Sequence, residues 1–407
     1  MSRFTTKPTS PNAAAPARRS TSCDSPLACL RPSLRRLQSV AAAALMLGFG
    51  DLQTDRAQAG LIDPSVPIEK YRQLGEQARG PISWSLENGT WVQRGGAGYL
   101  TGTYKLNGYD TVGTASGFLL NPRTFVTAAS RTRTNYQGDV KVGWSSDAYN
   151  PNLPEITVSK IIVHPDYRPD QREKGPDIAV VHLSKPVRQI DAAGVEGDIS
   201  GSCYLASNLP KGGTVVALQG YGQVLDYKGK VYSAGQAFGG QTIYWPTLVP
   251  LPWLSTNLYI SSSSSGKLTE AFYAPFACYF NDMGGPVSVI EDTVDPYGRS
   301  VRRTAMLGLI EGGNRYIPLA TDILQFISAP TRDFIIANMI VETPPLAITP
   351  DQVSWVSNGW NFVLERSSDM RDWTPTDPPQ TQGNLNYLPI SPRTGPERRF
   401  YRLRHTP

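Results

Sequence analysis

Hydrolysis by acyl transfer asks for a nucleophile with a proton to lose, a base that titrates near neutral pH and N–H donors aimed at the developing oxyanion. The base is scarce in this sequence. Its three histidines, His164, His182 and His405, lie far apart along the chain. The four cysteines, Cys23, Cys29, Cys203 and Cys278, have no clustered histidine beside them, so neither a metal site nor any other cofactor is expected. The stretch Ala277–Ile290, ACYFNDMGGPVSVI, has the outline of a catalytic loop, with Met283 where a nucleophile would stand. A thioether carries no proton and yields no useful acyl intermediate.

Such a loop has to be held by something, and the composition points to strands. With 37 Gly and 34 Pro among 407 residues and only 18% charged, the chain suits a turn-rich β protein better than a helical bundle or a disordered chain. Between about 96 and 325, short apolar or alternating runs are separated by Gly, Pro, Asn and Asp. Examples are Gly117–Leu120, Thr124–Ala128, Thr157–Val163, Ile178–Leu183, Thr214–Leu218, Val287–Ile290 and Ala305–Ile310. That pattern predicts an all-β barrel or sandwich. Residues 60–95 read as a polar lead-in segment with a short helix around Ile68–Ala78. The apolar period of Ile323–Val341 predicts a closing helix interrupted or started at Pro330, and Pro344-Pro345 marks its end. Residues 346–407, with strand-like runs at Trp360–Leu364 and Phe400–Leu403, read as a small C-terminal β module. Arg393, Arg398, Arg399, Arg402 and Arg404 give it a basic strand face, read as solvated.

Three stretches, in order, carry a resemblance: SGFLLNPRTFVTAAS (Ser116–Ser130), DIAVVHLSKPV (Asp177–Val187) and NDMGGPV (Asn281–Val287). Together with His164-Pro165-Asp166-Tyr167, Leu218–Gly222 and Leu307–Ile310, they resemble the chymotrypsin/trypsin-like serine peptidase family. The resemblance implies a trypsin-like double six-stranded β-barrel over 96–341, with a cleft between the barrels and a C-terminal helix. In that family the first motif ends in a histidine, the second opens with the aspartate that orients it, and the third holds the nucleophilic serine. The matching positions here are Ser130, Asp177 and Met283. A serine hydroxyl cannot serve as the neutral-pH base. Loss of nucleophile or base in such a triad costs roughly a millionfold in turnover, so the resemblance implies a catalytically inactive homologue.

The same resemblance marks Asn281, Asp282, Met283 and Gly284 as the oxyanion loop. Asn281 stands where the family has glycine, and one extra residue separates Cys278 from Asp282. The pocket position falls at Phe276, which implies an apolar or filled pocket. In activated members the aspartate matching Asp282 pairs with a new N-terminus, but no Ile-Val-Gly-Gly-like run occurs between residues 80 and 110. Zymogen-style activation is therefore not expected. Cys203 and Cys278 match half-cystines whose usual partners are absent, so free thiols and unconventional pairing both stay open. No histidine replaces the lost base on this reading: His182, five residues past Asp177, alternates onto the opposite face and is expected at the surface. His164 matches a position without chemistry, and His405 lies in the other domain.

The first 59 residues read as an export leader. Arg31, Arg35 and Arg36 precede the apolar run Val40–Phe49, and Ala57-Gln58-Ala59 supplies a cleavage site before Gly60. The run is too short to span a bilayer comfortably, so no membrane span is expected after leader removal. Sec and twin-arginine routes both stay open. Taking the leader's eight basic and three acidic residues from 39 and 34 leaves 31 of each, so the mature chain has no net positive field and no expected nucleic-acid partner. The expectation is a periplasmic or extracellular protein of a bacterial envelope that uses the old cleft to bind or scaffold a peptide or protein ligand. The alternatives are a serine-type endopeptidase using non-family residues and a purely structural envelope protein.

Overall fold

A computed structural model describes residues 61–62, 66–132, 136–169, 176–190, 195–206, 208, 210–211, 214–226, 230–244, 258–262, 276–277, 284–294, 299–314, 321–326, 329–356, 362–382, 385–391 and 398–406. The leader falls outside these residues.

The first half is a closed barrel of six strands: Ala97–Leu106, Tyr109–Asn121, Thr124–Thr127, Ala179–Leu183, Ile156–Val163 and Tyr136–Gly143, in that spatial order. Closure comes from Ala97–Leu106, which pairs with Tyr109–Asn121 on one edge and with Tyr136–Gly143 on the other. Its first hairpin turns on Asn107-Gly108, both at positive φ (52° and 86°), the backbone that a two-residue turn between twisted strands demands. Asn88-Gly89 repeats the device in the hairpin Ser83–Glu87/Thr90–Arg94. Leu100, Phe118, Leu119, Phe125, Val126, Val180 and Val181 have no exposed surface and belong to one core cluster that takes up both faces of these strands.

The second half is a curled half-barrel. Its six-strand path runs Phe238–Tyr244, Thr214–Gly220, Pro286–Val294, Ser300–Asn314, Thr321–Phe326 and Leu258–Ser262. The fold is thus mostly β with a closed barrel, a curled partner, few helices and added C-terminal sheets. Ile323–Phe326, read from its apolar period as helical, is instead a strand paired on both sides. The closing helix is Ala329–Asn338, with Pro330 in its first turn, where the missing N–H is one the helix leaves unbonded in any case.

The lead-in is more than a connector. Its helix Ile68–Ala78 lays Gly75 against Phe238–Tyr244 so closely that a Cβ there would sit 2.5 Å from the Ala237 carbonyl oxygen. Tyr71 of this helix is wholly buried with Val216, Leu218 and Phe238. Upstream, Leu61–Ile62 runs parallel to Leu225–Asp226 and antiparallel to Phe276–Ala277, so two residues beside the expected leader boundary form an inner strand.

The C-terminal module joins the sheet Ala347–Ile348/Gln352–Val356/Leu385–Pro389/Gln380–Gln382 to the sheet Thr374–Pro375/Phe362–Ser367/Phe400–His405. Val353, Trp355 and Leu364 form its core. The segment leading into it is tied to the barrel: Asn121 Nδ2 donates to the Ile340 carbonyl (2.9 Å), Ile340 N–H donates to Thr124 Oγ1 (3.0 Å), and Arg123 pairs with Glu342 at 2.5 Å.

His405 ends this module between Phe362, at 5.5 Å ring to ring, and a small cavity shared with Leu120, Cys203, Ile336 and Met339. Burial lowers its pKa to about 4. An unfolded chain takes up this proton near pH 6.5 and the folded one only near 4, so acidification between those values favours unfolding. Replacing His405 with Phe is therefore expected to shrink the fall in melting temperature between pH 7 and pH 4.5, read by thermal scans. An unchanged pH dependence would show that the imidazole stays hydrated.

Candidate functional site

Ser130 is placed by the end of a strand. Thr124–Thr127 leaves the barrel through Ala128 (φ −72°, ψ 134°) and closes into a single 3-10 turn, Ala129–Arg131. Arg131 N–H and Thr132 N–H donate back to Ala128 and Ala129, and Thr132 Oγ1 adds a 2.8 Å bond to the Ala129 carbonyl. The turn presents the Ser130 backbone amide to Asp177, whose Oδ1 accepts it at 2.6 Å. Asp177 is 1% exposed. A carboxylate that deep needs donors aimed at it, and the amide of Ser130 is one.

The loop that follows Met283 reaches the same place from the second half. Gly284 adopts φ +91°. Its N–H donates to the Ile310 carbonyl at 2.9 Å, and Ile310 N–H donates to Gly285 at 2.8 Å, which ties the loop to Ser300–Asn314. On the other side Gly284 lies against the barrel: a Cβ there would meet the Ser116 carbonyl oxygen at 2.4 Å, Thr127 Oγ1 at 2.6 Å and the Ala128 amide nitrogen at 3.0 Å. Thr127 Oγ1 donates to that Ser116 carbonyl at 2.6 Å, and Ser116 Oγ accepts the Tyr221 N–H at 2.9 Å. Both halves of the fold therefore converge within two residues of Ser130.

Asn281, Asp282, Met283 and Cys278 lie outside the described residues, as does the side chain of Phe276. The Phe276 backbone stands opposite Ile62. What the structure brings together is Ser130, Asp177 and Gly284.

The three histidines are all described, and none bonds Asp177. His164 is buried, with its ring 4.6 Å from that of Phe334 and its Nδ1 accepting the Asp166 amide at 3.2 Å. Burial lowers its pKa, with Asp166 pulling part of the way back. His182 differs from its expected place at the surface. It is half-buried, and its Nε2 lies 2.5 Å from the Asn338 carbonyl, because the closing helix covers this outer face of the barrel. His405 belongs to the C-terminal module. Cys203 is a buried free thiol whose Sγ donates to the Leu119 carbonyl at 3.2 Å, and burial raises its pKa, so it stays a neutral, unreactive group. Among the described residues no cluster of three His, Cys, Asp or Glu side chains is placed to hold a metal.

Sequence reasoning missed the Thr127–Ser116–Tyr221 link that braces the site. It also missed the inner strand Leu61–Ile62, since a two-residue strand leaves no period to read. The two positive-φ Asn-Gly turns were legible in principle and went unread.

Residues 93–236 match the family model described as Trypsin. The match spans the whole closed barrel, including Ser130 and Asp177, and enters the second half. No curated protein matches the sequence. Among solved structures, the chain is similar to neuropsin, described as a serine protease expressed in the limbic system of mouse brain. The identity is 16%, the overlap covers 58% of this chain and 93% of that one, and the TM-score is 0.40. At that level the overlap assigns no residue a role.

Proposed function

We propose that the protein is an exported trypsin-like peptidase homologue that has lost its catalytic histidine and serine and that binds an extended peptide or protein segment without cutting it. The observation that carries this reading is the environment of Asp177. Its carboxylate is engaged by the backbone of Ser130, the residue where a base would stand, and all three imidazoles of the chain are committed elsewhere. Met283 in the loop before Gly284 offers no nucleophile.

Binding has its own support. Ser300–Asn314 pairs with Pro286–Val294 only as far as Leu309, but with Thr321–Phe326 through Asn314. Beyond Ile310, whose own N–H and C=O are taken by Gly285 and Gly284, that edge has no strand neighbour among the described residues, and Gly312-Gly313 bring no side chains to block it. An extended chain adds to such an edge by main-chain hydrogen bonds, which require neither histidine nor serine.

The experiment is selection of peptides from a random display library on the full chain, followed by calorimetry and mass spectrometry of the recovered peptide. A selected peptide is expected back intact, and N-methylation at alternate residues is expected to weaken it at least about tenfold, since each blocked amide removes a strand bond. Cleavage of the peptide, equal binding after N-methylation, or no enrichment above background would each contradict the reading.

A further inference from the structure

The outer face of the C-terminal sheet carries a group of charges that plays no part in the site around Ser130 and Asp177. Glu365, whose side chain is 5% exposed, stands directly opposite Arg402 in the pairing of Phe362–Ser367 with Phe400–His405, and Arg404 is two residues along on the same face. Glu365 Oε2 accepts from Arg402 Nε and lies 2.8 Å from Nη2, while Oε1 accepts from Arg404 Nε at 2.5 Å. Burial pushes the Glu365 carboxyl up, but Arg404 and Arg402 more than offset this and hold it below the usual range. The carboxylate is therefore ionised and the local sum is two positive charges against one negative.

Both arginines are held in place. Arg402 lies 4.2 Å above the Trp373 ring. Trp373 is set in turn by a compact turn: Ser367 Oγ accepts the amides of Asp369 and Met370, Asp369 Oδ1 accepts those of Arg371 and Asp372, and Trp373 Nε1 donates to the Met370 carbonyl. Each guanidinium has five N–H donors. Glu365 takes two from Arg402 and one from Arg404, which leaves three and four. Both side chains are 46% exposed, and among the described residues those outward donors have no partner. One arginine would neutralise Glu365. The second adds an uncompensated charge and a second planar fork beside the first, oriented before any ligand arrives.

We propose that Arg402 and Arg404, aligned by Glu365 and Trp373, form a binding site for an oxyanion: a carboxylate, or the phosphate or sulfate group of a larger ligand. Paired forks suit such groups because two parallel N–H donors match two oxygens, and prior ordering of the side chains removes part of the entropy cost of binding. The site shares no residue with the one around Ser130, Asp177 and Gly284 and does not depend on the reading given to that one.

The test is a titration of the full chain with sodium phosphate, sodium sulfate and sodium acetate at constant ionic strength. It follows the Arg402 and Arg404 Nε–H and Trp373 indole signals by NMR, with chloride as the control. Saturable shifts of these signals with at least one of the three, absent with chloride, are expected, and the tighter anion identifies tetrahedral or planar recognition. Arg404→Lys keeps the charge and loses the fork, and is expected to weaken binding at least tenfold. The double change Glu365→Gln with Arg404→Gln avoids stranding a buried carboxylate and is expected to abolish saturation while the chain stays folded. Shifts that never saturate, that chloride reproduces, or that persist unchanged in both variants would overturn the site and leave a purely structural ion pair.

Discussion

Installing Ser130→His together with Met283→Ser is expected to make the protein react with a serine-directed fluorophosphonate at the new hydroxyl, with neither single change sufficing. The frame for it is present: Asp177 is buried at the turn that carries position 130, and a carboxylate accepts from more than one donor. Gly284, next in sequence to position 283, is itself fixed against that turn, through bonds to Ile310 and close approach to Ser116 and Ala128. Loss of nucleophile or base costs about a millionfold, so recovery of even a thousandth of that would raise ester hydrolysis about a thousandfold over the native chain. The singles stay silent because nucleophile and base act as a unit. A double variant that neither labels nor hydrolyses would mean that the oxyanion loop around Asn281 no longer presents its amides.

Gly284→Ala is the second large effect. At φ +91° an L-residue is strained, and its Cβ would be driven to 2.4 Å from a backbone oxygen that belongs to the barrel and cannot swing away. Strain and overpacking together are expected to cost about 4 kcal/mol, seen as a large drop in melting temperature. Gly138, at φ +79° with nothing within 4 Å of its notional Cβ, supplies the control. Its alanine variant bears the conformational cost alone, about 1 kcal/mol. Equal losses at the two positions would show that Gly284 is not wedged between the halves.

Much of the barrel was readable because its strands obey local rules. Thr124–Ala128 and Ile178–Leu183 are short apolar runs between turn residues, and they pair antiparallel in the structure. The motifs single out Ser130 and Asp177, and in the fold the Ser130 amide donates to Asp177 Oδ1. The error at Ile323–Phe326 has a physical origin: a short apolar run suits a buried strand and a helix alike, and only pairing decides. Long-range register was out of reach for the same reason. Glu365 and Arg402 are 37 positions apart, and nothing local says that they stand opposite one another. His182 alternates outward as expected, but alternation along a strand cannot reveal that a helix ending 156 residues later lies over it. The pocket residue Phe276 and the loop Asn281–Met283 rest on sequence alone.

Whether this chain can take a proton from a nucleophile beside Asp177 separates binding from hydrolysis. The most direct measurement is incubation of the native full chain with a fluorophosphonate probe and, separately, with casein, followed by peptide mapping. The account predicts no modified serine and no casein fragments above a no-protein control. Labelling of a cleft serine, lost in Ser130→Ala or in Asp177→Asn, would contradict it.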